Sequence, residues 1–170
     1  RIVGDQVPGD FKSGTEYTVF TLTNREIRVA PLICFEDTIG ELTRQFILPT
    51  ETTAGANLLV DVTNDGWFKH SAGSHQHLAN AVFRCVETRR PMIRAANTGV
   101  TCFINQFGRV TQELENGSTF AEGVLTGEVI VPAEQELTFY VRHGELFAEI
   151  CAAVALIAVI LASITRWRTL

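Results

Sequence analysis

Residues 150–165, Ile-Cys-Ala-Ala-Val-Ala-Leu-Ile-Ala-Val-Ile-Leu-Ala-Ser-Ile-Thr, carry no charge at all. Such a run is either a helix buried in protein or a helix in lipid, because backbone N–H and C=O groups need internal partners once water is excluded. Its sixteen residues rise about 24 Å as a helix, slightly short of a hydrocarbon core of about 30 Å. Leu146 and Phe147 on one side and Trp167 on the other close that gap. Glu149 and Arg166 then fall at the interfaces. Apolar side chains run all round with no polar face, which favours a membrane span over a core helix. We therefore expect a transmembrane helix over 145–167 and a short tail over 168–170. Arg166 and Arg168 lie at its far end, so the positive-inside rule places the C-terminus in the cytoplasm and the preceding body outside it.

That body, residues 1–149, holds 12 Lys and Arg against 19 Asp and Glu, a net of −7. The acidity argues against nucleic acid as a partner. The 170 residues, 46% hydrophobic, suffice for one domain with a real core. Cys34, Cys85, Cys102 and Cys151 show neither a C-x-x-C nor finger spacing, so no disulfide framework is expected. The chain opens at Arg1-Ile2-Val3 without methionine, signal peptide or basic leader, and the expectation is a piece of something longer.

The body is organised around Ile27-Arg28-Val29-Ala30-Pro31-Leu32-Ile33-Cys34-Phe35-Glu36-Asp37. It starts as a buried strand, irregular or near an edge at Pro31, which cannot donate to a ladder. Ile39, Leu42 and Phe46 follow at helical spacing, with Glu36 and Asp37 at the helix start, where the macrodipole favours acids. Cys34 thus stands at a strand-to-helix elbow. That position suits a nucleophile, since a helix N-terminus stabilises a thiolate and its N–H groups can hold an oxyanion. A free cysteine is as readily a small buried hydrophobe, and the elbow alone leaves both readings open.

Residues 1–24 read as loop leading to a short strand over 17–23, and 57–62 as a second buried strand ended by Thr63-Asn64-Asp65-Gly66. Ser74 is a plausible N-cap for a helix over 75–89, with Leu78, Val82 and Val86 as its apolar stripe, widened by Ala79 and Phe83. Residues 92–96 form a third strand. The hairpin signal Gln106-Phe107-Gly108-Arg109 separates a strand over 100–105 from one starting near Val110. A further strand is expected over 124–131, then irregular chain over 132–144. This order argues for a layered α/β domain with its chemistry at strand ends, notably at Cys34 and Asn64.

Taken together, Leu32-Ile33-Cys34-Phe35-Glu36-Asp37, Asn64-Asp65-Gly66-Trp67-Phe68, Gln76-His77, Arg90-Pro91 and Asn97-Thr98-Gly99-Val100-Thr101 resemble the nitrilase (carbon–nitrogen hydrolase) superfamily. A closing membrane helix is similar to the apolipoprotein N-acyltransferase branch, in its C-terminal part. The resemblance implies part of a nitrilase-like α-β-β-α sandwich over 1–144, followed by the one transmembrane helix. It implies no cofactor and a Glu–Lys–Cys triad. Cys34 would be the nucleophile, taking an acyl group from a phospholipid donor as a thioester and passing it to the N-terminal cysteine of a diacylglyceryl lipoprotein. The location implied is the bacterial inner (cytoplasmic) membrane, with the domain on the periplasmic side among membrane lipid.

Glu36 matches an acid that the family keeps beside its cysteine, and Phe35 stands where a tyrosine is common. With Asn64, Asp65, Trp67 and Phe68 it makes the candidate substrate-binding set. Trp67 and Phe68 serve equally as a lid over an acyl chain or as ordinary packing, and Asn64 and Asp65 as site-lining residues or turn formers. The family's Glu and Lys lie upstream of this chain by resemblance, so Lys12, Glu16 and Glu26 are not assigned those roles and the chain alone is expected to be inactive. His70, His75 and His77 do not share a face at ligand spacing, and no metal site is assigned. Arg94 with Asn97 reads as structural polar bonding. A membrane-tethered amidase, or an inactive partner-binding remnant, are the other functional classes.

Overall fold

The computed structural model describes residues 14–22, 26–51, 53–132 and 136–168. Lys12, the start of the N-terminal loop and the tail over 169–170 lie outside the described residues, as do the side chains of Arg166, Trp167 and Arg168.

Six strands form one mixed sheet in the order β1 (Phe20–Thr21), β2 (Arg28–Ile33), β3 (Leu58–Thr63), β4 (Met92–Ala96), β5 (Cys102–Ile104), β6 (Val110–Glu113). The three central strands are parallel, and β1, β5 and β6 add antiparallel edges. The parallel pairs are joined through α1 (Gly40–Ile47) and α2 (Gly73–Thr88), because a parallel connection needs a crossover. β1 pairs only with Arg28 and Val29, so Pro31 lies where β2 has a neighbour on one side alone. That is how a proline sits inside this strand without breaking a two-sided ladder.

Register sorts the side chains into rows. Ala30, Leu59, Met92 and Ile104 stand side by side, and Leu32, Asp61, Arg94 and Cys102 form the next row toward the C-terminal ends of the parallel strands. Both rows are buried and belong to the face that Phe46, Ile47, Ala81, Cys85 and Val141 cover. The opposite face is more open: neighbouring Ile33 and Val62 are 66% and 56% exposed. The extended segment 123–132 runs over part of it, with Gly127 seated against Phe103 and Gln112.

Three expectations are corrected. Among the described residues the stretch 124–131 pairs with no strand, since it lies over the sheet rather than beside an edge. On α2 Leu78 and Val82 pack against the core as expected, but the fully buried line is Ser74, His77, Ala81, Arg84, Cys85 and Thr88, while Phe83 is 58% exposed and Val86 packs outward near the hairpin glycine Gly108. The helix also starts one residue before Ser74, with Ala72 at its cap position. Finally, 132–144 contains a short helix, α3 (Phe139–His143), capped by Thr138, whose hydroxyl accepts from the Val141 N–H at 3.1 Å. Val141 is fully buried, and its carbonyl accepts from Arg44 Nε at 2.9 Å. This docks α3 against α1 and α2 just before α4 (Leu146–Arg168), the apolar helix. Its 23 residues rise about 34 Å, enough by length and composition to cross a membrane.

Candidate active site

β2 ends at Ile33, and the backbone turns sharply at Cys34, which has φ +53°. A non-glycine residue in this left-handed region is uncommon, and such strain persists only where the surroundings hold it. The chain does not enter α1 directly from here. It first makes a single 3-10 turn, Cys34–Thr38, and α1 starts only at Gly40. The expected helix start is thus displaced by several residues, and the full helix dipole does not act at the thiol. Glu36 reaches back over the turn: its Oε2 accepts from the Ile33 N–H at 2.8 Å. The Thr38 hydroxyl donates to the Phe35 carbonyl at 2.7 Å. Cys34 is half-buried, while Phe35 is 62% exposed.

The second loop leaves β3 at Asn64, whose side chain accepts from the Gly66 N–H at 3.1 Å and from the Thr98 hydroxyl. The Asp65 N–H donates to the Thr98 carbonyl and the Asn97 N–H to the Thr63 carbonyl, so the loops after β3 and β4 are stitched together. Trp67 and Phe68 part company. Trp67 is 81% exposed, while Phe68 packs on Gly73 and meets the His77 ring edge-on at 5.9 Å. Phe35 lies over the same imidazole at 6.3 Å.

Beneath these two loops is a buried ionic cluster drawn from five segments. Arg94 on β4, 1% exposed, donates to Asp37 Oδ2 at 2.7 Å, to Asp61 Oδ2, and to Asp65 Oδ2 at 3.2 Å. His77 on α2 sits between two of the same carboxylates. Its Nδ1 is 2.7 Å from Asp65 Oδ1, and its Nε2 is 2.8 Å from Asp37 Oδ1, close enough for an ion pair but off the line of a hydrogen bond. The Thr63 hydroxyl donates to Asp65 at 3.1 Å.

Three acids face two cations here, and the titration behaviour resolves the mismatch. The polar contacts with Asp37 and then Asp65 outweigh burial and push the His77 pKa up to about 10. Burial pushes Asp61 up to about 7 against the pull of Arg94. Asp65 feels the same burial, but the hydrogen bond from His77 and the nearby positive charges win and hold it below the usual carboxylate range. Near neutral pH the cluster approaches balance, with Asp61 sharing in the proton. The guanidinium fills the centre that three carboxylates could otherwise offer to a cation.

Of the candidate residues, Cys34, Phe35 and Glu36 share the first turn, and Asn64, Asp65, Trp67 and Phe68 share the second. Asp65 is buried at 1% exposure and engaged by His77, Thr63 and Arg94. Asn64 is exposed and holds its own turn. Arg94 makes the structural polar bonds expected of it, but to three acids rather than to Asn97; that His77 is its neighbour in the cluster was not foreseen. One signal for the cluster was present: Asp61 and Arg94 are opposite charges at inward positions of apolar strands, where burial is allowed only in pairs.

The carbon–nitrogen hydrolase family profile matches residues 6–137. The chain is similar to apolipoprotein N-acyltransferase of Geobacter metallireducens, 41% identical over 156 residues, covering 91% of this chain and 27% of that protein. It is also similar to apolipoprotein N-acyltransferase of Thermotoga maritima, 34% identical over 149 residues, covering 88% of this chain and 27% of that protein. It therefore spans just over a quarter of these relatives' length. Among solved structures it is similar to XC1258 from Xanthomonas campestris, a CN-hydrolase superfamily protein, with TM-score 0.49 and 16% identity over 61% of this chain and 41% of that one. The chain belongs to the carbon–nitrogen hydrolase family.

Proposed function

We propose that this chain is the cysteine-bearing part of a membrane-anchored acyltransferase that N-acylates lipoproteins. The observation that carries the reading is Cys34, held half-exposed at positive φ where β2 ends. Exposed aromatic side chains lie beside it in sequence (Phe35) and on the neighbouring loop (Trp67). A water-soluble small-amide site has no use for so much exposed apolar surface near the nucleophile, whereas acyl chains need it. The similarity to apolipoprotein N-acyltransferases and the apolar α4 support the same choice.

In this reading the Cys34 thiolate attacks the ester carbonyl of a phospholipid. The tetrahedral intermediate collapses to a thioester, and the lysophospholipid oxygen leaves with a proton. The N-terminal amine of a diacylglyceryl lipoprotein then attacks the thioester, expelling the thiolate and giving its proton to the base. Phe35, Asn64, Trp67 and Phe68 lie on the substrate side, while Glu36 braces the turn through the Ile33 N–H. The general-base Glu and the Lys that helps hold the oxyanion come from sequence upstream, which also supplies a second sheet against the open face bearing Ile33 and Val62. Residues 1–144 belong to the catalytic domain on the periplasmic side of the inner membrane, 145–167 span it, and 168–170 form the cytoplasmic tail.

The test gives the full-length protein in detergent a labelled phospholipid and a diacylglyceryl peptide with a free N-terminus. Triacylated peptide is the expected product. Free labelled fatty acid at the same rate with and without the peptide would mean that water is the acceptor, and the chain would then serve a tethered hydrolase.

A further inference from the structure

A cysteine with a histidine nearby invites the reading of a Cys–His pair, in which the imidazole takes the thiol proton. The structure assigns His77 a different role, that of a positioning residue. It is a cationic strut between Asp37 and Asp65 that fixes the Cys34 turn against the Asn64–Phe68 loop, and it does not serve as the proton acceptor. This rests on the proposed role of Cys34 as nucleophile.

The geometry makes the case from three sides. Both imidazole nitrogens are taken: Nδ1 lies 2.7 Å from Asp65 Oδ1 and Nε2 lies 2.8 Å from Asp37 Oδ1. A base needs one nitrogen free of protons and open to the substrate; here Nε2 faces Asp37, and Nδ1 faces Asp65 with Arg94 Nη2 beside it at 3.1 Å. The ring is 3% exposed and covered by Phe35 and Phe68, so neither an amine nor a thiol reaches it from solvent. The same two acids push its pKa up to about 10, which favours the charged form over a proton acceptor.

The same contacts define what His77 does. Asp37 lies in the turn that begins at Cys34, three residues beyond the nucleophile, and is fully buried. Asp65 lies in the turn that bears Trp67 and Phe68. His77 bridges these two acids directly, and Arg94 bridges them again while adding Asp61. The strained backbone at Cys34 is therefore held from below by Asp37, and Asp37 is held by two cations on different elements. The acids are not equivalent. Asp61 belongs to β3 and meets Arg94 alone, with its Oδ1 unpartnered among the described residues. Among the described residues its hydrogen bond goes to Arg94 and not to either loop.

The test uses the full-length protein, with alkylation read by mass on the peptide that carries Cys34. Two quantities are read for His77→Gln, Asp37→Asn and Asp61→Asn. One is the pH profile of Cys34 alkylation by iodoacetamide, which needs no lipid. The other is the acyl-transfer rate per alkylatable Cys34, which counts folded molecules only.

The inference predicts that His77→Gln leaves the midpoint of the alkylation profile within about 0.3 of the wild-type value, less than a typical charge-partner effect. It predicts that the kcat of His77→Gln and Asp37→Asn falls about 10- to 100-fold at unchanged phospholipid KM, the size of a positional error at a nucleophile. Asp61→Asn should stay within about two-fold, because it replaces a carboxyl that is readily neutral. A profile that loses its limb in His77→Gln would make His77 the base and overturn the inference. So would Asp37→Asn with wild-type kcat per folded site. If His77→Gln fails to fold, Asp37→Asn against Asp61→Asn still decides it, since equal loss in both would mean general charge balance and not a hold on the turn. Absence of acyl transfer in the wild type would count against the proposed function, while the alkylation profiles would still settle the role of His77.

Discussion

Replacing Arg94 by methionine keeps most of the side-chain length and removes the charge that three buried carboxylates share. Arg94 is 1% exposed, and Asp37, Asp61 and Asp65 are all at 1% or less, so water cannot replace it. Removing one partner of a buried ion pair costs about 3–5 kcal/mol, because the other charge stays buried. Here the cost depends on pH. Asp61, raised to about 7, carries its proton below neutrality, which leaves Asp37 and Asp65 against the His77 cation. Above neutrality the wild-type Asp61 ionises against Arg94, whereas in the variant that charge has no partner. Losing Arg94 also removes the pull that lowers the Asp61 pKa, moving it higher still.

A group whose folded pKa is raised contributes stability at low pH and loses it as pH climbs through that pKa. The wild type should therefore lose the Asp61 contribution between about pH 4 and 7, and that of His77 between 6.5 and about 10. Arg94→Met should fall more steeply over the same range, by about 3 kcal/mol near pH 5.5 and about 5 kcal/mol near pH 8.5. At about 2–4 °C per kcal/mol for a domain of this size, the Tm loss is roughly 6–12 °C at the lower pH and 10–20 °C at the higher. Circular dichroism melts of the full-length protein in detergent at the two pH values measure it. Adding Asp61→Asn should return part of the loss at pH 8.5, a coupling above about 0.5 kcal/mol. A loss under about 2 °C, or an equal loss at both pH values with no coupling, would refute the cluster's electrostatic role.

Three further outcomes are expected from the same structure. Gly99 has φ +112° and no room for a Cβ, which would overlap the Asp65 carboxylate; Gly99→Ala should cost about 2–4 kcal/mol by strain and displacement of Asp65, read as a lower Tm beside the milder Gly14→Ala. A tag after Leu170 should be shielded from a membrane-impermeant reagent in intact cells, and labelling from outside would reverse the proposed orientation. Residues 1–170 purified alone should show no acyl transfer or amide hydrolysis, and adding the upstream sequence should restore it; turnover by the chain alone, lost in Cys34→Ala, would place the base among residues such as Glu36.

The parts of the fold legible in sequence are those written in local chemistry. The β-branched runs around Val29, Val60 and Ile93 became the parallel strands, and Gly108 at φ +79° closed the hairpin its neighbours announced. The uncharged run became a single exposed helix. The parts that stayed hidden depend on partners far apart in the chain. Arg94 meets Asp37 across 57 positions and Asp61 across 33, and only the register of β3 with β4 brings the latter pair together. Of the expected α2 stripe Leu78 and Val82 do pack on the core, whereas Phe83 and Val86 are apolar yet exposed, and His77 and Arg84 are buried by pairing with acids. The stretch 124–131 has strand composition but crosses a sheet face, and composition carries no information about that choice. The elbow at Cys34 was legible as a position, whereas its left-handed backbone and the separate 3-10 turn were not.

The central claim is that Cys34 carries the acyl group, and mass spectrometry of the full-length protein after incubation with phospholipid tests it directly. The account predicts one acyl mass on the peptide containing Cys34, removed by neutral hydroxylamine as a thioester is, absent in Cys34→Ala and greatly reduced in Cys34→Ser, since a serine hydroxyl needs a stronger base. An adduct that persists in Cys34→Ala, or that maps to Cys151 or any other residue, would contradict it.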